Sequence, residues 1–383
     1  MKSRKEGILQ VTDYLAPYEG NFICSIKNLE RHLTSKGYNM FYLFPKEAKN
    51  LNWIKQMEKE NKKIFYLNKN LVKNIKTIKN IIKENNIKIV HSHFCLPRTQ
   101  LAIKLSCITS LNVYLVQHYH NHFKLPNKLL KKYLFKFIFE GDLNIGCSES
   151  VANSIVYNSK KVFSVQNAIY FPRLDKYEKI DKSKFDIRDD DIVILMFGFD
   201  YFRKGVDIAI KAIEPLVKKY NIILAISVSV GKEKIEKQIE SDFGYIPKWI
   251  KLLPPRNDIS SYYHMANIFL SAAREEGFCY ALVEAAYCKI SCISSNISGP
   301  PLNMPNLNVF ENEDYKDLLS KIENIINTNT IETKKRLNET SKYVLEKYNI
   351  DKWSKEIINI YQLTRGEFNK NCEVVAHEKI NKI

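Results

Sequence analysis

Short apolar runs alternate along most of the chain with segments whose apolar residues recur every three or four positions. Such runs are typical of strands buried in a parallel sheet. The spaced segments are typical of the helices that connect such strands. The predicted strands are Gly7–Val11, Asn39–Phe44, Lys63–Leu67, Ile87–His91, Val113–Gln117, Leu143–Cys147, Ile192–Phe197, Ile222–Ser227, Ile250–Leu253, Ile268–Leu270 and Ile290–Ser294. This alternation predicts an α/β protein built from parallel βαβ units.

The pattern divides the chain into two parts. Residues 173–191 are polar and charge-dense with little periodicity, which predicts a linker between a domain of residues 1–172 and a domain of residues 192–349. A chain of 383 residues is long enough for two cores of ordinary size. The chain is predicted to be helical from Tyr315 onward, with an amphipathic helix over Trp353–Tyr361.

The stretch from Ala266 to Ala286 joins a predicted strand, a glycine turn and a helix. Such a unit presents backbone N–H groups and the positive end of a helix dipole to a phosphate. Two carboxylates, Glu276 and Glu284, lie eight positions apart within it. They are either solvated side chains at a chance spacing or acceptors for the hydroxyl groups of a sugar.

Positive charge is concentrated in the first half of the chain. The whole chain carries +17, and residues 1–172 alone hold 27 Lys and Arg against 11 Asp and Glu, a net +16. This asymmetry predicts an anionic partner, which is a membrane surface, a lipid phosphate or a nucleic acid. Because the first apolar run is too short for a signal peptide, and no run is long enough to span a bilayer, we expect a cytoplasmic protein. Eight cysteines without a C-x-x-C pair fit free thiols in that compartment.

The segment Phe123–Glu140 has the pattern of a basic amphipathic helix. Its lysines gather on one helical face, namely Lys128, Lys131, Lys132 and Lys136. Leucine, tyrosine and phenylalanine supply the rest, as in helices that lie in a lipid headgroup layer. The alternative is an ordinary helix whose apolar face is core and whose lysines are solvated. The membrane interpretation predicts a peripheral protein on the inner face of the membrane.

Histidines recur at alternate positions in Val116–His122, namely His118, His120 and His122. Three imidazoles on one side of a strand could bind a metal ion. The pattern shows no evident fourth ligand, however, and we expect no metal here.

The letters E-G-F-C-Y-A-L-V-E-A at residues 276–285 resemble the E-x7-E signature of the family-4 retaining glycosyltransferases (glycosyl transferases group 1). The resemblance runs in motif order from about residue 7 to residue 365. It implies the GT-B architecture, in which two Rossmann-like doubly wound domains face a cleft. It also implies a C-terminal helix, here about residues 350–383, that crosses back to the first domain.

The resemblance also implies roles for individual residues of the second half. Glu276 would hold sugar hydroxyls, Glu284 the ribose, and the backbone of Gly277, Phe278, Cys279 and Tyr280 the sugar or phosphate. Lys204, before Gly205, matches a lysine that binds the donor diphosphate. Many relatives carry arginine where this chain has Phe199, and Arg203 is the candidate to supply the guanidinium instead.

In the first half, Gly20 stands in a loop that resembles the one approaching the donor phosphate in relatives. The alternative is a plain surface turn. His118 matches a histidine that faces the transferred sugar, so Glu276 and His118 are the predicted catalytic residues. Enzymes of this type need no metal at the donor, and the nucleotide-sugar is a co-substrate, so we expect no cofactor.

The sequence thus predicts a retaining hexosyltransferase that moves a sugar from a nucleotide-sugar to a saccharide or lipid-linked acceptor, in cell-surface polysaccharide or glycolipid biosynthesis. One alternative is a basic protein that binds nucleic acid or an anionic surface without transferase activity. Against nucleic acid, the aromatic residues are not interleaved with arginine in a known module. A second alternative, a dinucleotide-dependent oxidoreductase, is disfavoured because no G-x-G-x-x-G follows the first strand.

Overall fold

A computed structural model of the chain describes residues 5–156, 161–328 and 331–364. The chain forms two compact units. The first takes the chain up to Asn167 and again from Ile350, and the second comprises Ala168–Asn349.

The first unit is built on a seven-stranded sheet in which every neighbouring pair is parallel, in the order β3-β2-β1-β4-β5-β6-β7. Its strands are β1 (Gly7–Thr12), β2 (Asn39–Pro45), β3 (Ile64–Leu67), β4 (Ile87–His93), β5 (Tyr114–Tyr119), β6 (Leu143–Gly146) and β7 (Val162–Ser164). Its helices are α1 (Gly20–Ser35), α2 (Asn52–Lys59), α3 (Leu71–Glu84), α4 (Pro97–Ile108), α5 (Leu129–Phe139) and α6 (Glu149–Val156). The order reverses between β1 and β4, as in the Rossmann fold.

The second unit repeats this topology with a six-stranded parallel sheet in the order β10-β9-β8-β11-β12-β13. Its strands are β8 (Ile192–Phe197), β9 (Ile222–Ser227), β10 (Ile250–Leu253), β11 (Ile268–Ser271), β12 (Ser291–Ser295) and β13 (Asn308–Phe310). Its helices are α7 (Val206–Ile213), α8 (Lys232–Phe243), α9 (Ser260–Met265), α10 (Tyr280–Tyr287), α11 (Tyr315–Asn327) and α12 (Ile331–Lys347). Short 3-10 turns lie at Lys46–Asn50, Phe171–Arg173, Lys182–Phe185 and Leu216–Lys218.

The last described helix, α13 (Ile350–Leu363), belongs to the first unit, where it packs against α1. Asn28 of α1 donates hydrogen bonds to Asp351 at 3.0 Å and to Ser354 at 3.1 Å. Trp353 and Tyr361 are buried on the inner side of α13. The predicted return of the C-terminal helix to the first domain is confirmed for these residues, and the part of the prediction after Thr364 lies outside the described residues.

The parallel α/β architecture with two Rossmann-like sheets is confirmed, and all eleven predicted strands are present to within one or two residues at their ends. The strands that the pattern missed, β7 and β13, have only three residues each and lie at sheet edges. A strand this short cannot show an apolar run or an alternation.

The predicted helix over Phe123–Glu140 is too long, because the observed α5 begins only at Leu129. Pro126 disfavours helical backbone at Leu125, and Lys128 is the extended N-cap residue. Lys128 therefore precedes the helix, whereas Lys131, Lys132 and Lys136 lie within it.

Residues 173–191, predicted as a linker, lie in the second unit. The carbonyl of Leu174 accepts a hydrogen bond from Ser260 at 2.6 Å, and Ser261 donates to the carbonyl of Glu178 at 2.7 Å. Of the helices in the described ranges, none combines the length and the apolarity that crossing a membrane requires.

Candidate functional site

The candidate donor site of the second unit lies where its strand order reverses. Strand β8 has β9 on one side and β11 on the other, so the loops after β8 and β11 diverge at the carboxyl edge of the sheet. Ligands of open α/β sheets bind at such a switch point. The two loops, residues 198–205 and 272–279, contain most of the residues predicted to bind the donor.

These two loops contact each other through their backbones. Gly205 has a φ of +66°, and a Cβ atom on it would lie 1.8 Å from the carbonyl oxygen of Ala272. The N–H of Arg274 donates to the carbonyl of Arg203 at 2.9 Å. The Arg274 guanidinium also forms two hydrogen bonds of 2.8 Å to the carboxylate of Asp207. This planar pair fixes the loop after β11 to the start of α7.

The side chains of Lys204 and Glu276 meet between the loops. The Nζ atom of Lys204 donates to Oε1 of Glu276, and both side chains are largely buried. On its other side, the backbone of Glu276 contacts Gly299. A Cβ atom on that glycine would lie 2.0 Å from the carbonyl oxygen of Glu276. A cation and a carboxylate therefore stand side by side in a backbone frame that leaves little room for movement.

Phe199 occupies the position where many relatives carry arginine, and its ring contacts two cations. The Arg203 guanidinium and the Lys204 ammonium each lie 4.9 Å from the ring centroid. Arg203 also forms an ion pair of 3.6 Å with Asp200. The loop after β8 thus brings both predicted phosphate-binding cations to one aromatic side chain.

The backbone from Gly277 to Tyr280 leads into α10. Phe278 is buried, and its ring packs against Tyr280 and Tyr348 at centroid distances of 5.3 Å and 5.6 Å. Cys279 has a φ of +63° and precedes the first turn of α10. Burial, and then the nearby Glu276, raise the pKa of the Cys279 thiol to about 11, so the thiol is neutral at physiological pH. This loop directs the positive end of the α10 dipole toward the switch point.

Glu284, the second carboxylate of the pair, is buried within α10. Its Oε1 atom accepts a hydrogen bond from the Arg173 guanidinium, and its Oε2 atom accepts one of 2.8 Å from the Tyr263 hydroxyl. Burial, and then the Glu284 carboxylate, raise the pKa of Tyr263 well above its usual value. Tyr263 therefore remains protonated and donates to the carboxylate.

In the first unit, Gly20 begins α1 at the carboxyl end of β1. Its φ is +64°, and a Cβ atom on it would lie 2.7 Å from the Tyr14 hydroxyl oxygen. Glycine suits this backbone conformation, whereas the Tyr14 hydroxyl lies at the end of a side chain that can move aside.

His118 lies at the end of β5 and is only 1% exposed. Its ring stacks against His91 at a centroid distance of 5.4 Å and against His120 at 4.4 Å. Burial lowers the pKa of His118 to about 3, so its imidazole is neutral. The contact of His118 with a sugar stays a prediction.

The structure does not place His118, His120 and His122 in one cluster, as the strand pattern suggested. His122 lies beyond the end of β5, and its Nε2 atom is 3.2 Å from the Ser150 hydroxyl oxygen. His118 and His120 instead lie beside His93 of the neighbouring strand.

Helix α5 exposes a row of large apolar side chains. Leu129, Leu130, Tyr133, Leu134 and Phe137 are between 43% and 84% exposed, whereas Ile138 is buried. Lys128, Lys131 and Lys132 are exposed beside them, and Lys136 is half-buried. The alternative in which this apolar face is core does not hold for these five side chains.

Several residues of the donor site carried no sequence signal. Glu284 accepts hydrogen bonds from Arg173, which is 111 residues away along the chain, and from Tyr263, which is 21 residues away. Asp207, Arg274 and Gly299 position the loops through pairings that only the fold brings together.

Two family models match the chain, one in each half. Residues 25–169 match "Glycosyltransferase Family 4", and residues 178–344 match "Glycosyl transferases group 1".

Curated relatives are similar over part of the chain. An uncharacterised glycosyltransferase of Methanocaldococcus jannaschii is 25% identical over 72% of this chain and 75% of its own. The capsular polysaccharide biosynthesis glycosyltransferase CapM of Staphylococcus aureus is 27% identical over 49% and 53%. One component of the human phosphatidylinositol N-acetylglucosaminyltransferase is 28% identical over 36% and 29%. The last two similarities thus span about half and under a third of those relatives.

Solved glycosyltransferase structures share the fold over nearly the whole chain. A glycosyltransferase from Rickettsia africae superposes with a TM-score of 0.77 at 18% identity, covering 95% of this chain and 100% of its own. Anabaena Alr3699/HepE in complex with UDP-glucose superposes with a TM-score of 0.73 at 15% identity, covering 93% and 99%. With the two family models matching in chain order, the protein belongs to the family-4 glycosyltransferases and has their GT-B architecture.

Proposed function

We propose that this glycosyltransferase moves a hexosyl unit, with retention of configuration, from a nucleotide-sugar to a saccharide or lipid-linked acceptor. The observation that carries the proposal is the pairing of Lys204 with Glu276 at the switch point of the second sheet. Membership of a transferase family sets aside the alternatives of a nucleic-acid-binding protein without transferase activity and of an oxidoreductase.

In the proposed mechanism, the loop after β8 stabilises the leaving diphosphate. The diphosphate gains negative charge as the glycosyl bond breaks, and cations placed in advance lower the energy of that state. Lys204 and Arg203 supply these charges. Before the donor binds, Lys204 is neutralised by Glu276, and this pairing keeps the ammonium in place.

The proposed role of Glu276 is to accept hydrogen bonds from hydroxyl groups of the transferred sugar. As Lys204 turns to the diphosphate, the carboxylate of Glu276 becomes available to the sugar. Glu284 would bind the ribose from its position between Arg173 and Tyr263. The acceptor hydroxyl would attack on the face that the diphosphate leaves, through an oxocarbenium-like state, so no protein carboxylate acts as nucleophile.

We further propose that transfer needs no metal ion at the donor. The function that a divalent cation has in other transferases, neutralising the diphosphate, is assigned here to Arg203, Lys204 and the positive end of the α10 dipole. The UDP-glucose bound to the Anabaena neighbour makes uridine nucleotides the first donors to test.

We propose that α5 binds the protein to an anionic membrane, where the enzyme meets its acceptor. This helix exposes five large apolar side chains beside three exposed lysines, and the first half of the chain carries a net +16. Each lysine near an anionic surface contributes about 1 kcal/mol of binding free energy. Because anionic lipids are concentrated on the cytoplasmic leaflet, we propose the inner face of the membrane as the site of action. The names of two relatives, a capsular polysaccharide enzyme and a phosphatidylinositol-modifying one, support a role in cell-surface polysaccharide or glycolipid biosynthesis.

The test of the donor assignment is a thermal-shift panel of nucleotide-sugars in buffer with a chelator. A true donor at 100 times its dissociation constant should stabilise the protein by about 2.7 kcal/mol. Stereochemical analysis of the product by NMR then tests retention. If no nucleotide-sugar or nucleoside diphosphate raises the melting temperature, the donor site is assigned wrongly.

A further inference from the structure

Four imidazoles, those of His91, His93, His118 and His120, form one contiguous layer at the carboxyl ends of β4 and β5, in the first unit. The parallel register places His93 beside His118, and His91 lies on the same face two residues earlier. Ring centroids are 4.0 Å apart for His91 and His93, 5.1 Å for His93 and His118, and 4.4 Å for His118 and His120. Helix α13 covers the layer with Tyr361 and Trp353.

The layer leaves several buried ring nitrogens without a hydrogen-bond partner among the described residues. They are Nε2 of His91, both Nδ1 and Nε2 of His118, and Nδ1 of His120. Buried polar atoms are nearly always paired with protein or another bound species. A buried imidazole with neither nitrogen bonded therefore points to a ligand.

Two hydrogen bonds of the layer would have to give way to a metal ion. Nδ1 of His93 lies 3.1 Å from Nε2 of His120, and a metal on that nitrogen would replace this contact. Nε2 of His93 lies 2.9 Å from Oε1 of Gln10, which can only accept, so this nitrogen carries the proton and Nδ1 keeps its lone pair. Nδ1 of His91 lies 2.6 Å from the Tyr361 hydroxyl oxygen. The Tyr361 hydroxyl oxygen already accepts from Gln10, so its own proton points to Nδ1 of His91. A metal on Nε2 of His91 would require this hydroxyl to turn and to accept from Nδ1 instead.

We propose that His91, His93 and His118 bind one divalent transition-metal ion of the zinc type. One ring nitrogen from each of the three lies within 4.8 Å of the others. Binding would draw them in to about 2.0–2.1 Å from the ion. Imidazole ligands without carboxylates favour zinc, copper or nickel over magnesium and calcium. The site would join β4 to β5 beneath α13, and it goes beyond the proposed transferase function because it contains none of the donor-site residues of the second unit.

The hydrogen-bond partners of His91 and His93 are of the kind that orients metal ligands. Metal-binding histidines commonly donate their second N–H to a carbonyl, carboxylate or similar acceptor. Gln10 accepts from His93, and Tyr361 lies against His91, with Gln10 itself donating to the Tyr361 hydroxyl oxygen at 3.0 Å. A metal on His118 would compete with the sugar contact predicted for the same imidazole.

The experiment measures metal binding by the full, untagged chain. The chain is stripped with chelator and dialysed to equilibrium against Zn²⁺, and bound metal is measured by mass spectrometry. A parallel sample takes Co²⁺, whose visible absorption reports tetrahedral nitrogen ligation. We expect about one ion per chain. His91→Gln and His118→Gln should abolish binding, whereas His32→Gln and His122→Gln, which alter histidines outside the layer, should retain it.

Tyr361→Phe is the variant that keeps the test informative if the histidine variants fail to fold. It retains all three ligands and should weaken Zn²⁺ binding about 10–100-fold. Circular dichroism and the melting temperature verify the fold of each variant. No bound metal in the wild-type chain, an equal loss in His122→Gln, or unchanged affinity in folded Tyr361→Phe would overturn the proposal.

Discussion

Gly205 approaches the carbonyl oxygen of Ala272 so closely that a Cβ atom on the glycine would lie 1.8 Å from that oxygen. The contact joins the loop after β8 to the loop after β11, and hence Lys204 to Glu276. The frame of the candidate donor site therefore depends on a residue that has no side chain.

The Gly205→Ala variant should be destabilised by at least about 3 kcal/mol, because the methyl group meets rigid backbone as well as an unfavourable φ. The matched control is Gly244→Ala, where φ is +76° but nothing lies within 4 Å of the added Cβ. That variant should lose only about 1–2 kcal/mol. Urea unfolding of the two variants measures the difference, and equal losses would show that the loops separate easily.

Lys204→Ala should weaken binding of a nucleoside diphosphate about 10–100-fold. The reason is the loss of a charge-assisted contact, which is worth about 1.5–3 kcal/mol. Lys219→Ala is the control, since that lysine is exposed and paired with Glu323. Calorimetry measures both affinities, and an unchanged value for Lys204→Ala would move the phosphate site elsewhere.

Glu276→Ala and Glu284→Ala should each reduce turnover by orders of magnitude while the protein remains folded. Each removes a carboxylate proposed to bind the donor. Glu276→Ala removes the carboxylate that Lys204 contacts, whereas Glu284→Ala removes the one that both Arg173 and Tyr263 contact. The melting temperature should therefore fall more in Glu284→Ala. Glu214→Ala, at an exposed position, is the control. A wild-type rate in Glu284→Ala would exclude that residue from the donor site.

Binding to liposomes should require anionic lipid and should fade as salt is added, because it depends on lysines at the surface. Most of this binding should be lost when glutamine replaces Lys128, Lys131, Lys132 and Lys136. The charge-matched control replaces the exposed Lys334, Lys335, Lys342 and Lys347 of α12. Sedimentation that is equal with neutral and anionic vesicles, or absent with both, would favour a soluble acceptor.

A chain ending at Lys347 should lose the fold of the first unit, since it lacks α13 and with it Asp351, Trp353 and Tyr361. A chain ending after about Arg365 should stay folded and active, because the contacts named for α13 end at Tyr361. Circular dichroism and activity measure both chains. A fully active chain ending at Lys347 would contradict the role of α13.

The strand pattern alone predicted eleven strands and the parallel architecture, because buried strands and amphipathic helices have distinct periods. That pattern could not predict which side chains contact one another. Glu276 and Glu284 stood out by spacing, yet their pairing with Lys204 and Arg173 arises from loops that meet only in the folded sheet.

The histidines show the same limit most clearly. The two H-x-H motifs are visible in the sequence, at His91–His93 and at His118–His120. That they form one layer follows from the register that pairs His93 with His118, which no local pattern specifies. A metal site sought along a single strand therefore includes His122 and omits His91 and His93.

The position of α13 in the chain affects how the protein is made. The first unit is interrupted by the whole of Ala168–Asn349, so a ribosome must translate that stretch before α13 emerges. At usual rates of synthesis this takes on the order of ten to forty seconds. Throughout that delay the nascent sheet displays its histidines and the uncovered side of α1. That surface is therefore open to the chaperones that hold translating chains during this interval.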